Sequence, residues 1–261
     1  MPASVSLPVR QYLATPVAAP PGLVTETWRL DLERTAFIEL HCWNVGVPGG
    51  LQVPEDYWVF MGSPANHGRM AGIVAEVIQP CLRAARAAGM PTVHVQPEGV
   101  AARYPALRPQ WSPTASRPAS PAPPPVSNHA PERAERVHGA GYLQWAGWEN
   151  LDVAPCLAPT PADVVVASTA EFDAWLRERE VTTLIYTGFA ANLCILSSPA
   201  AMAAMNGLGY RCALLREATL AIEFPDQPER LHTEATLRYV EAWVGYTASA
   251  GDFLAGLAAA D

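Results

Sequence analysis

One cysteine stands where a nucleophile would be useful. In "VTTLIYTGFAANLCILSSPAAM" (181–202) an apolar, β-rich run ends at Gly188, and Cys194 follows as a helix begins. A thiol of ordinary acidity is mostly protonated at neutral pH, and only its thiolate attacks a carbonyl well, so such a residue needs an activator. The opening turn of a helix offers one, because its unpaired N–H groups carry partial positive charge. Asn192 is of the type that caps such turns. A second source of activation lies in "TAFIELHCWN" (35–44). Residues two apart on a strand share a face, so Glu39 and His41 point the same way. Together these residues outline a nucleophile (Cys194), a base (His41) and a group that orients the base (Glu39). Each has a plainer reading beside this one. Cysteine is often buried without function, and a histidine can simply bond a backbone carbonyl. Glu39, an acid in an otherwise apolar strand, must be paired or hydrogen-bonded, and an arginine would serve as well as an imidazole.

The elements that must position these residues alternate along the chain. Strands are expected at 35–41, 92–96, 162–168, 182–188, 210–215 and 244–248. Helices are expected at 69–90, where Pro80 should bend or divide the pattern, and near 170–180, 192–208 and 228–242. Strands alternating with helices imply an α/β fold of three layers: a six-stranded, mostly parallel sheet with helices on both faces. In such sheets ligands sit beyond the carboxyl ends of the strands, where His41, Gln96, Ser168 and the 188–194 turn would lie. Trp43 and Asn44, just past the first strand, would shape the rim.

Two stretches interrupt the alternation. Residues 45–68 are a Gly/Pro-rich excursion. Residues 97–161 form a longer, Pro-rich insertion, in which 112–126 reads as mobile and polyproline-like. By contrast "RVHGAGYLQWAGWENL" (136–151) carries too much apolar surface to leave in water. It would pack on its own domain, cover the site as a lid through Tyr142, Trp145 and Trp148, or meet another subunit. Residues 1–29, rich in Pro and small side chains, read as a loosely held leader or arm before a single domain over 30–261.

The bulk numbers narrow the function. The chain has 261 residues and a net charge of −8, with no basic run, which argues against nucleic acid as a partner. No apolar stretch has the length of a membrane span, and the N-terminus has no signal-like apolar core, so a cytoplasmic protein is expected. Five cysteines (42, 81, 156, 194, 212) form no CxxC pair and no even framework. Cys42, Cys81, Cys156 and Cys212 read as packing residues. All 17 basic residues are arginine, because the sequence contains no lysine.

With "TAFIELHCWN", "AEFDAWLRERE", "LIYTGFAANLCI" and "AAMAAMNGLGYRCALLREAT", the chain resembles the isochorismatase-like cysteine hydrolases, a family that includes nicotinamidases, carbamoylsarcosine amidases and isochorismatases. The resemblance runs from about residue 30 to 255, outside the Pro-rich insertion. It implies the six-stranded parallel sheet, a homo-oligomer, and a non-prolyl cis peptide that maps to Phe189–Ala190. It also implies a cysteine, an aspartate ending the first strand and a lysine. By position the cysteine is Cys194, but the aspartate falls on His41 and the lysine on about Val166. Phe172 matches an aromatic that lines the family's pocket. With Trp43, Asn44 and Asn192 it completes the expected substrate contacts.

Two functions from different classes follow. In the first, the protein hydrolyses a small amide-like C–N substrate. Cys194 forms an acyl-enzyme, His41 carries the proton, and the backbone of Ala190, Ala191 and Leu193 in the turn holds the oxyanion. In the second, it is an inactive member that binds a small molecule or serves assembly. No organic cofactor is expected, since "HCWNVGVPGG" lacks a phosphate-binding glycine pattern. No metal site is assigned either, because the six histidines show no paired-ligand spacing. His41 and His94 are the pair best placed to converge.

Overall fold

A computed structural model describes residues 4–110 and 126–259, so most of the proline-rich 112–126 stretch lies outside the described residues. Eight strands form one sheet: β1 (Ser4–Leu13), β2 (Gly22–Asp31), β3 (Thr35–Leu40), β4 (Thr92–Val95), β5 (Val164–Val166), β6 (Thr183–Phe189), β7 (Arg211–Leu220) and β8 (Tyr246–Ala248). Their order across the sheet is β2-β1-β8-β7-β6-β3-β4-β5. The six strands from β5 to β8 run parallel, as expected.

The other two strands correct the reading of the N-terminus. Residues 4–31 are not a loose leader but an antiparallel hairpin, added to the sheet through Val9 and Arg10 against β8. The cause is in the sequence. "SVSLPVRQYL" alternates, and Val5, Leu7 and Val9 are buried on one face. Pro8 disguised the pattern. It is tolerated because β1 meets β8 at only two residues and is otherwise paired on one side.

Nine α-helices are described: α1 (Pro64–Ile73), α2 (Gln79–Ala87), α3 (Glu98–Ala101), α4 (His129–His138), α5 (Thr169–Glu178), α6 (Cys194–Ser197), α7 (Met202–Gly207), α8 (Leu231–Tyr239) and α9 (Ala250–Ala258). The first expected helix is divided, by a π-turn at Val74–Ile78 just before Pro80. The helix expected over 192–208 is broken into α6 and α7, since Pro199 cannot continue α6 and Ala200 takes a left-handed φ of 60°.

Apolar residues on the two sheet faces make two cores. Phe37, Ile185 and Ala213 pack with Met70, Ile78 and Leu82 of the α1–α2 layer and with Phe253 of α9. Ile38, Leu40, Leu184 and Tyr186 pack with Phe172 and Leu176 of α5, Met205 of α7 and Leu237 of α8. Residues 136–151 settle on their own domain. Tyr142, Trp145 and Trp148 lie against the first core, and the His138 carbonyl accepts from the Trp58 amide at 2.6 Å. None of the described helices is long and apolar enough to cross a membrane.

Candidate active site

β3 and β6 are neighbours at the centre of the sheet. The chain leaves β3 toward β4 on one side and enters β6 on the other, which makes their carboxyl ends a topological switch point. Leu40 pairs with Gly188 there. Gly188 has φ 118°, and a Cβ on it would overlap the Leu40 carbonyl oxygen. That position therefore requires glycine, and the close approach brings the residues after β3 alongside those after β6.

After β6 the Phe189–Ala190 peptide is cis, where the resemblance placed it. Cys194 follows, half-buried, as the first residue of α6. Of the three turn residues expected to hold an oxyanion, two are otherwise engaged. The Ala191 amide donates to the Leu220 carbonyl (2.9 Å) and the Leu193 amide to the Ala190 carbonyl (3.1 Å). The Ala190 amide has no such acceptor among the described residues, nor has that of Cys194 itself, which the sequence reading had not assigned. The amides of Ala190 and Cys194 are thus the two in this turn left without a carbonyl acceptor, and that of Ala190 lies beside the Cys194 thiol. Only the fold shows this, because it depends on which carbonyls lie opposite.

Asn192 does not cap α6. Its side-chain nitrogen donates to the Ile222 carbonyl (3.3 Å) and its oxygen accepts from the Ile222 amide (3.0 Å), fastening the turn to the segment after β7. Both polar atoms are engaged, so Asn192 clamps the turn to the segment after β7.

Past β3, His41 is 6 % exposed, has a left-handed φ of 54°, and stacks on Trp43 with ring centroids 5.0 Å apart. Its Nδ1 is buried without a hydrogen-bond partner. Burial pushes the His41 pKa down to about 4, against the opposing charge of Glu39, so the ring is neutral at pH 7. Burial also raises the Cys194 thiol above its ordinary value, with only the Ala190 backbone working the other way. At neutral pH Cys194 is therefore a thiol and His41 a neutral imidazole. The thiolate–imidazolium pair that the sequence suggested is not favoured, because desolvation outweighs the helix terminus in a helix of four residues.

Glu39 is fully buried, but it does not orient the His41 ring by a hydrogen bond. Its Oε1 accepts from the Cys42 amide (2.5 Å), and its Oε2 accepts from Gln96 Nε2 (2.9 Å) and faces His94 Nδ1 (2.8 Å). The β3–β4 register sets Glu39 directly beside His94. The other His94 nitrogen lies 3.6 Å from Asp163 Oδ2. Asp163 in turn accepts from Arg86 (2.6 Å), from the Thr160 amide (2.6 Å) and from Thr92. Burial alone would lower the His94 pKa, but its bonds to Asp163 and Glu39 outweigh burial and raise it. Despite its burial, Asp163 is held well below the usual carboxylate range by His94, Arg86, Thr92 and the Thr160 amide. Glu39 is thus the ion-pair partner of a buried histidine, where the sequence reading had weighed an arginine. His41 and His94 do not converge on a shared metal position, since both His94 nitrogens are taken. Among the described residues, no three His, Cys, Asp or Glu side chains are gathered as metal ligands.

The remaining expected contacts divide. Trp43 donates from Nε1 to Gln96 Oε1 (3.0 Å) and packs on Phe60 (4.5 Å between centroids), which leaves its ring on the rim. Asn44 is spent on the insertion, donating to the Asn150 carbonyl (3.2 Å) and accepting from the Asp152 amide (3.0 Å). Phe172 is wholly buried in the second core and offers no surface to a ligand. Val166, about where the resemblance set the family's lysine, is equally buried.

Comparison with known proteins agrees with this architecture. The chain is 29 % identical over 196 residues to the ureidoacrylate amidohydrolase RutB of Pseudomonas syringae pv. syringae, covering 69 % of each protein. It is 28 % identical over 187 residues to that of Rhizobium rhizogenes, covering 68 % of each. The crystal structure of a cysteine hydrolase from Pseudomonas syringae pv. phaseolicola shares the fold with a TM-score of 0.57 and 19 % identity, over 90 % of this chain and 97 % of the other. The Isochorismatase domain model matches residues 56–248, from the loop before α1 through β8, and on that match the chain belongs to the isochorismatase domain family.

Proposed function

We propose that this protein hydrolyses the C–N bond of a small, amide-like substrate through Cys194. The observation that carries the reading is the turn after β6. A half-buried thiol opens a helix beside two backbone N–H groups, of Ala190 and Cys194, that have no acceptor among the described residues. Such a pair suits the oxygen of a tetrahedral intermediate. The thiol sulfur attacks the carbonyl carbon as its proton passes to the neutral His41 ring. The C–N bond then breaks, and the amine leaves with that proton. Water attacks the resulting thioester, His41 taking one of its protons, and the acid departs with the thiol restored. The similarity to ureidoacrylate amidohydrolases supports an amide-like bond as the target.

A second reading, an inactive member that binds a small molecule, is favoured by one specific observation. Val166 is buried in the core about where the resemblance set the family's lysine, and no lysine exists elsewhere.

The test is a panel of small amides, ureido compounds and activated esters, with mass spectrometry of the Cys194 peptide and iodoacetamide alkylation followed against pH. An acyl adduct on Cys194 that is absent from Cys194→Ala is expected. The alkylation midpoint should lie above that of free cysteine, with the rate rising as pH rises and the thiolate forms. Loss of His41 should slow acylation by about 100-fold. No adduct from any member of the panel, with a thiol indifferent to His41→Ala, would overturn the hydrolase in favour of the binding protein.

A further inference from the structure

The polar chain beneath His41 is larger than charge balance in the core requires. Glu39 and His94 would satisfy one another as a pair, yet Glu39 also reaches two groups that flank the site. One is the backbone amide of Cys42, the residue directly after His41. The other is Gln96 Nε2, and the Gln96 oxygen accepts the Trp43 indole N–H. Gln96 is 1 % exposed, and both ends of its amide are committed, so it can adopt only the orientation that links the two. Trp43 carries the other face of the contact, stacked on His41. His41 therefore makes no hydrogen bond through Nδ1, but its backbone and its stacking partner are both tied to one buried carboxylate. A left-handed φ is unfavourable for a non-glycine residue and persists only where neighbours impose it.

We propose that Gln96 and Glu39 are positioning residues: they fix the His41 ring at the β3 end, next to the β6 end that carries the Cys194 turn, Gln96 through Trp43 and Glu39 through the Cys42 amide. This rests on the Cys194–His41 reading for its purpose, but its geometry can be tested without any substrate. The protein is labelled with 13C-histidine, and the His41 ring resonance is assigned by its loss in His41→Ala. Gln96→Met keeps the side-chain length and removes both polar groups. It is expected to move the His41 resonance and to change the Cys194 alkylation rate by iodoacetamide about threefold. In a Trp43→Phe background, where no indole N–H exists to hold, Gln96→Met should leave the resonance in place. Glu39→Gln, which can still accept from the Cys42 amide, should keep that amide protected from hydrogen exchange. Glu39→Met should expose it by about tenfold, the size of a lost hydrogen bond to a charged group.

A His41 resonance unmoved by Gln96→Met, or moved equally in both backgrounds, overturns the role of Gln96. Equal Cys42 protection in Glu39→Gln and Glu39→Met overturns that of Glu39. If the resonance behaves as expected while Cys194 alkylation ignores His41→Ala, the positioning holds and the Cys–His mechanism is what falls.

Discussion

The ends of β3 and β6 lie side by side, paired at Leu40 and Gly188, yet they are built from different materials. The β6 end is made of backbone. Its shape depends on a glycine that no other residue can replace, and its free donors are main-chain amides of Ala190 and Cys194. The β3 end is made of side chains. Glu39, His94, Gln96 and Trp43 form a chain of hydrogen bonds in which no group of Glu39 is left over for the His41 ring. A site built on backbone keeps its form while nearby side chains change, because every residue supplies the same N–H. A site built on side chains can be rewired, because each of its contacts depends on which residue stands at each position.

The contrast can be broken first at the glycine. Gly188→Ala is expected to cost more than about 3 kcal/mol, combining a left-handed φ with overlap on the Leu40 backbone. Soluble yield and thermal unfolding should both collapse. If Gly188→Ala folds normally, the β6 end is not fixed by backbone as described.

Glu39→Ala comes next, with an expected loss of roughly 3–5 kcal/mol because it leaves the buried His94 ring without the carboxylate at its Nδ1. Its pH dependence has a definite sign. The His94 pKa is raised in the folded state, so its contribution is complete below the unfolded value of about 6.5 and fades as pH rises through the folded value. The gap between wild type and Glu39→Ala, read by urea unfolding, should therefore narrow at alkaline pH. A gap that widens there would show that His94 is neutral in the native state.

The smallest effect on stability is expected at Cys194, the proposed nucleophile. Cys194→Ser should change unfolding free energy by less than about 1 kcal/mol, since the residue is half-buried and the turn does not depend on sulfur. The same variant should abolish acyl-enzyme formation. A large destabilisation would favour a packing role for Cys194 and blur the distinction between the two ends.

The difference between the two ends also explains what the sequence revealed. The turn was legible because its signals are local: a β-rich run, Gly188 and a cysteine at the start of a helix. The alternating strands and helices were legible for the same reason, being set by short-range periodicity. The N-terminal hairpin carried an equally local signal, Val5, Leu7 and Val9 at period two, but Pro8 masked it. The break in the helix after Cys194 was announced by Pro199. The roles of Glu39, Asn44, Phe172 and Asn192 were not legible, because each is decided by a partner far away in the chain. Glu39 meets His94 across 55 residues, and Asn192 meets Ile222 across 30.

By itself, then, the sequence determined the parallel α/β sheet, the place of Cys194 at a strand-to-helix turn, and the absence of any lysine to assist it. Residue type and periodicity are enough for each of these. Only the tertiary structure decided that Glu39 serves His94, that His41 is buried neutral, and that the free donors belong to Ala190 and Cys194. Protonation and hydrogen-bond partners depend on which groups are brought together and dried. That is a property of the folded packing and not of the order of residues along the chain.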